Sequence, residues 1–172
     1  MTPISRTLAV TLAGALMLAG CSKKPPASLP PEPGNVDTGT ATNTGTVNGP
    51  VPGSQADFVA TLMGQDTIYF DTDRFNIDAQ DTAALQAQAQ WLSKYPAKRA
   101  TIEGHCDERG TRDYNLALGE KRANAAKNYL VSLGIDVARL STISYGKEKP
   151  VATGSTEEAW AKNRRAVTVT ID

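Results

Sequence analysis

The chain has 172 residues, with 18 Lys and Arg against 18 Asp and Glu and a single His, so its formal net charge is zero. That length suits one ordinary domain with chain to spare. Charge balance argues against a nucleic-acid protein, which shows a basic face, and two Cys are too few for a disulfide framework or a Cys-rich zinc site.

Arg6 supplies a positive start, and an apolar run from Leu8 to Ala19 follows. The run is too short for a membrane span, which needs about 20 apolar residues, and suits the core of a secretory signal over residues 1–20. The segment Leu18-Ala19-Gly20-Cys21 is similar to the bacterial lipobox. That resemblance implies that Cys21 is lipidated and becomes the mature N-terminus. Ser22 after it, in place of Asp, implies outer-membrane sorting. Several acyl chains would hold firmly, since stable anchoring takes two such signals.

Residues 21–57 read as a lipidated Cys followed by a disordered tether. Seven of the ten Pro fall between Pro25 and Pro52, and the segment TGTATNTGTVNGP alternates small and polar residues. Such a stretch cannot bury enough apolar area to offset ordering entropy. Its flexible reach is about 30–36 Å.

From Phe58 to Asp172 the composition becomes globular, and about 115 residues can form one core. Asp66 to Phe70 is β-branched and aromatic, hence a strand. Asp78 caps a predicted helix reaching about Tyr95, with Leu85, Ala89 and Leu92 on one face and Pro96 ending it. Arg99 to Glu103 is a second strand. A long helix is predicted from about Asp113 to Leu133, with Leu118, Ala125, Tyr129, Leu130 and Leu133 spaced for one face and Gly134 as its C′ residue. Leu140 to Tyr145 is a third strand, Glu157 to Asn163 a short helix, and Ala166 to Ile171 a final strand. Strands separated by helices make a two-layer α/β (α+β) sandwich with helices on one face of a sheet.

The densest polar cluster is Gly104 to Gly110, at the end of the second strand. His105 beside Cys106 suggests a nucleophile and base, but adjacent strand residues point to opposite faces, so the two side chains should diverge. Nothing else completes a triad or a metal shell. Cys106 then reads as a partly buried thiol and His105 as a hydrogen-bonded or packed residue. Asp71, Asp73 and Asp107 could form a carboxylate pair, although acids after strands are commonly turn and cap residues. Arg122 lies four residues after Leu118 and seven before Tyr129, on or beside the apolar stripe. A charge there must snorkel, pair or receive a ligand. Arg122 and Asp107 suit the carboxylate and ammonium of an amino acid, or they pair with each other as structure.

Tyr69-Phe70-Asp71, GHCDERGTRDYNLALGEKRA (Gly104 to Ala123), SYGKEKP (Ser144 to Pro150) and NRRAV (Asn163 to Val167) together resemble the OmpA-like peptidoglycan-binding domain. The resemblance covers about Thr67 to the end and implies a βαβαβ-type sheet and a binding module without cofactor or catalytic residue. It implies noncovalent grip on the diaminopimelate of the peptidoglycan stem peptide. The family's binding Asp falls on Asp107, its binding Arg on Arg122, the motif Asn on Asn115 and the nearby Leu on Leu118, while Phe70 and Asp71 match the pocket wall. Cys106 stands where the family usually has Ala or Thr. With the lipobox and tether, the resemblance further implies an outer-membrane anchor facing the periplasm, and Tol proteins, TolB among them, as partners in envelope integrity and cell division. The alternative is a peptidoglycan-modifying enzyme on the same scaffold.

Overall fold

The structure, a computed structural model, describes residues 49–171. The expected signal, the lipidation site Cys21 and most of the tether lie outside the described residues.

Among the described residues helix α1 (Gln55–Leu62) comes first, and it has no counterpart in the sequence reading. Ser54 caps it by accepting from Asp57 N, and Asp57 in turn accepts from Gly53 N at 2.9 Å and from the Trp91 indole N–H at 3.1 Å. Phe58 meets the Trp91 ring edge-on at 4.9 Å. The expected boundary after Asp57 is therefore corrected: the folded part already includes Gly53 to Asp57. Their backbone and carboxylate bonds tie them to the core, which no apolar count reveals.

The remaining elements follow in order: β1 (Thr67–Tyr69), α2 (Ala79–Lys94), β2 (Arg99–His105), α3 (Arg112–Ser132), a 3₁₀ turn (Val137–Arg139), β3 (Leu140–Gly146), α4 (Glu157–Asn163) and β4 (Arg165–Ile171). Asp78 caps α2 through a reciprocal capping box with Asp81. Thr111 caps α3. At its far end Gly134, at φ 94°, donates to Val131 O while Ile135 donates to Leu130 O. That is a Schellman ending, and it drops Ile135 into the core.

The sheet order is β1-β4-β2-β3. β4 pairs antiparallel with both neighbours, and β2 pairs parallel with β3. A parallel pair needs a crossover, which α3 supplies. The core lies between the helices and one sheet face, around Phe58, Leu85, Leu92, Ile102 and Leu130. On α3 the buried residues are Asn115, Leu118, Gly119, Arg122, Ala123, Ala126 and Leu130, whereas Leu133 is exposed rather than part of the stripe.

α3 approaches β2 closely because two glycines face each other. A Cβ on Gly104 would overlap the carbonyl oxygen of Gly119, and one on Gly119 would overlap Ser144 Oγ. This contact sets Arg122, one turn further along α3, against the end of β2.

Candidate ligand-binding site

Where β2 ends and α3 begins, a cavity of about 250 Å³ opens, lined among others by Asp73, Asp107, Arg109, Asn115, Leu118 and Arg122. Four of the six residues expected to bind, Asp107, Asn115, Leu118 and Arg122, thus share one wall system. Phe70 and Asp71 do not line it. They face a neighbouring cavity of about 230 Å³ with Arg164, and Thr72 and Asp73 take the wall position instead.

Arg122 is 1% exposed, the largest fully buried side chain among the described residues. Its Nε donates to Arg74 O at 2.9 Å, and its two terminal nitrogens donate to His105 O at 2.8 Å and Asp71 O at 3.0 Å. Its guanidinium lies 5.2 Å from the Phe70 ring centre. The residue therefore clamps the segment after β1 onto the end of β2. A guanidinium carries five N–H donors, so two remain beyond these three carbonyl bonds, next to the cavity and the Cys106 thiol. Burial lowers its basicity, opposed by Cys106 and Asp107.

Asp107 does not pair with Arg122. Its Oδ1 accepts from the backbone N–H and Nε of Arg109, both at 3.1 Å, and its Oδ2 accepts from the other end of that guanidinium at 2.7 Å. Arg164 adds a bond at 3.4 Å. Burial alone pushes the Asp107 carboxyl up, but the bonds and charge of Arg109, with Arg164, outweigh it and hold the group below the usual carboxylate range. Arg109 lies over the Trp160 ring at 4.2 Å and reaches Thr72 Oγ1 at 3.3 Å. Asn115 donates to Arg109 O at 2.7 Å and Thr111 O at 3.0 Å, so its amide fixes the loop that carries Arg109. Tyr114 closes the rim by donating its hydroxyl to Asp73 at 3.1 Å.

His105 and Cys106 diverge as the strand alternation requires. His105 packs against Tyr145, ring centres 5.5 Å apart, with neither ring nitrogen hydrogen-bonded. Burial, then Arg165 and Lys149, lower its pKa to about 4. Cys106 faces the cavity and donates to Asn115 O at 3.3 Å. Burial pushes its thiol up, away from the nucleophilic thiolate. Among the described residues no cluster of three His, Cys, Asp or Glu could hold a metal.

Residues 69–164 match the OmpA family. The chain is 50% identical over 162 residues to the peptidoglycan-associated lipoprotein of Agrobacterium fabrum, across 94% of this chain and 85% of that relative. The chain belongs to the peptidoglycan-associated lipoprotein family. The family member of Pseudomonas aeruginosa is 41% identical over 167 residues, covering 96% of both chains. The crystal structure of the peptidoglycan-associated lipoprotein from Burkholderia pseudomallei superposes with a TM-score of 0.60 at 48% identity, over 61% of this chain and 89% of that one.

Within this family member, sequence reasoning missed Arg109 and Arg164 as the partners of Asp107. Arg164 sits beside β4, 57 positions from Asp107, and only the sheet order brings them together. Arg109 stands two residues from Asp107, a turn contact that no periodicity announces. Asp73 is held at φ 55° at the rim, a conformation that Asp tolerates better than most residues.

Proposed function

We propose that this domain binds peptidoglycan noncovalently through the zwitterionic end of diaminopimelate in the stem peptide. The observation that carries the proposal is a cavity lined both by a buried arginine, with N–H groups beyond its three carbonyl bonds beside the Cys106 thiol, and by a carboxylate held ionised. Arg122 takes the ligand carboxylate in a charge-assisted bond, and Asp107 takes the ammonium. Leu118 supplies an apolar wall for the methylene chain. Asn115 positions the loop, and Phe70 and Asp71 support Arg122 from behind. Asp71 does so through its carbonyl.

The reading is one of binding rather than bond cleavage. A thiol raised by burial is a poor nucleophile, and a carboxyl lowered by Arg109 is a poor general acid. The lipobox ending at Cys21 supports an outer-membrane anchor with the domain facing the periplasm, and the tether sets the effective concentration of the cavity near the wall. Together these tie the membrane to peptidoglycan. The resemblance in Asp107 to Thr111 and Tyr145 to Pro150 supports Tol proteins, including TolB, as partners in envelope integrity and division.

Co-sedimentation with purified peptidoglycan sacculi tests the proposal. The parent protein should pellet with the sacculi and release no soluble fragments, and Asp107→Asn should lose at least nine-tenths of the pelleted fraction. Soluble fragments would establish an enzyme instead, and undiminished pelleting of Asp107→Asn would remove the carboxylate from the site.

A further inference from the structure

A carboxylate has about four lone-pair positions, and in Asp107 four donors address them. Three come from Arg109, at 2.7, 3.1 and 3.1 Å, and one from Arg164 at 3.4 Å. The two arginines differ in what else holds them. Arg164 is buried, donates to Phe70 O at 2.9 Å and pairs with Glu157 at 2.7 Å, so it is fixed in the fold. Arg109 has a side chain 38% exposed and packs over Trp160. Its remaining side-chain bond is a long one to an exposed threonine, Thr72 at 3.3 Å. Glu157 and Asp73 both act on its charge from nearby, so the guanidinium has anions to turn towards while it stays near the indole.

We propose that Arg109 is a built-in competitor for the ligand ammonium, an autoinhibitory contact that must swing off Asp107 before the site can close on its ligand. The inference rests on the reading of Asp107 as the ammonium partner. A primary ammonium can reach Asp107 only by taking the positions of the Arg109 guanidinium, because the Arg164 bond is locked by the fold. Each binding event therefore exchanges one ion pair for another at the same carboxylate. The exchange keeps Asp107 ionised and paired throughout, so no uncompensated buried charge arises. Its cost is the Arg109–Asp107 pair, which lowers affinity and lets any anion that captures Arg109 raise it.

Two consequences follow from the geometry. Removing the guanidinium relieves the competition, so affinity rises. Turning it off Asp107 while it stays over Trp160 also changes the surroundings of that indole, whereas Trp91, buried against Phe58, stays unchanged. The chain has two Trp, so the emission change on binding belongs to Trp160.

The test is titration calorimetry and tryptophan emission on the full chain in detergent, with the tripeptide L-Ala–γ-D-Glu–meso-diaminopimelate as probe. Arg109→Gln removes the guanidinium and its charge but keeps a polar side chain, and it should bind about three- to tenfold tighter, the range for loss of a half-exposed bidentate pair. Arg109→Lys keeps the charge but loses the bidentate geometry and should fall between. The parent should show a ligand-dependent emission change that Arg109→Gln and Trp160→Phe both lack. Equal or weaker binding by Arg109→Gln, with a parent that binds and an Asp107→Asn that does not, overturns the competitor and leaves the proposed ligand standing. No binding by the parent or by Arg109→Gln overturns both.

Discussion

Replacing Arg122 by Lys isolates the structural half of its role, because the charge is kept while the fork is lost. The guanidinium spans three carbonyls, of Asp71, Arg74 and His105, at 2.8 to 3.0 Å. An ammonium on a single stem is compact and can satisfy one of them. The bond to His105 O is buried, whereas those to Asp71 O and Arg74 O are half-buried, and water can recover part of their loss. With the buried bond kept and the two half-buried ones lost, at about 1.5–3 kcal/mol for each hydrogen bond to a charged group and discounted for water, the substitution costs about 2–4 kcal/mol. That is a large share of the 5–15 kcal/mol typical of a whole domain. Urea unfolding followed by far-ultraviolet circular dichroism should show a lower midpoint with an unchanged slope. Amide exchange at residues 71–74 should accelerate more than exchange in α2. A loss below about 1 kcal/mol, outside the range for such bonds, would refute the clamp and leave Arg122 a ligand residue alone. For the same reason Arg122→Ala is a poor probe of binding, since it loosens one wall of the cavity as well as removing the donor.

Gly119→Ala should destabilise by about 1–3 kcal/mol, the range for overpacking, because the new methyl would overlap Ser144 Oγ and stand 2.9 Å from Gly104 O; a thermal melt within a degree of the parent would contradict the close approach of α3 to β2. Stability should fall as pH drops from about 6.5 towards 4. His105, held to about 4 in the fold, stays neutral there while the unfolded chain takes up the proton at the ordinary value of about 6.5. The slope should approach about 1.4 kcal/mol per pH unit, and His105→Phe should flatten it; an unaltered slope in that variant would assign the acid loss elsewhere. Asp107, with a lowered carboxyl, adds a further loss only below its unfolded value of about 3.9.

Apart from α1, the elements were legible in the sequence. Asp78 and the spacing of Leu85, Ala89 and Leu92 mark α2 because its cap and its core face are both local. α1 was not legible, since its helix holds only Phe58 and Leu62 as buried residues and depends on Asp57 reaching Trp91. β4 was legible as a strand, but alternation misleads about its faces. Thr168 and Thr170 point into the core, where Gln88 and Gln55 accept their hydroxyl protons at 2.7 and 2.6 Å, and Val167 and Val169 lie on the opposite, half-open face. Strand order was out of reach because it depends on contacts between distant segments. In the site, Arg122 stood out because a charge on an apolar stripe is costly without partners. Its partners are backbone carbonyls, which carry no sequence signature. Asp107 was visible through the resemblance, but the cation beside it was not. The structure answers the open question of whether these two residues pair with each other: each has its own partners, and they are brought to one cavity.

The most direct test of the account is a crystal structure of the protein with the diaminopimelate tripeptide. The ligand's terminal carboxylate should lie about 3 Å from Arg122 nitrogens, and its ammonium at a similar distance from Asp107 in the place of the Arg109 guanidinium. A zwitterion bound away from this cavity, or inside it with its ammonium distant from Asp107, would contradict the claim that opposed charges on one wall select the ligand.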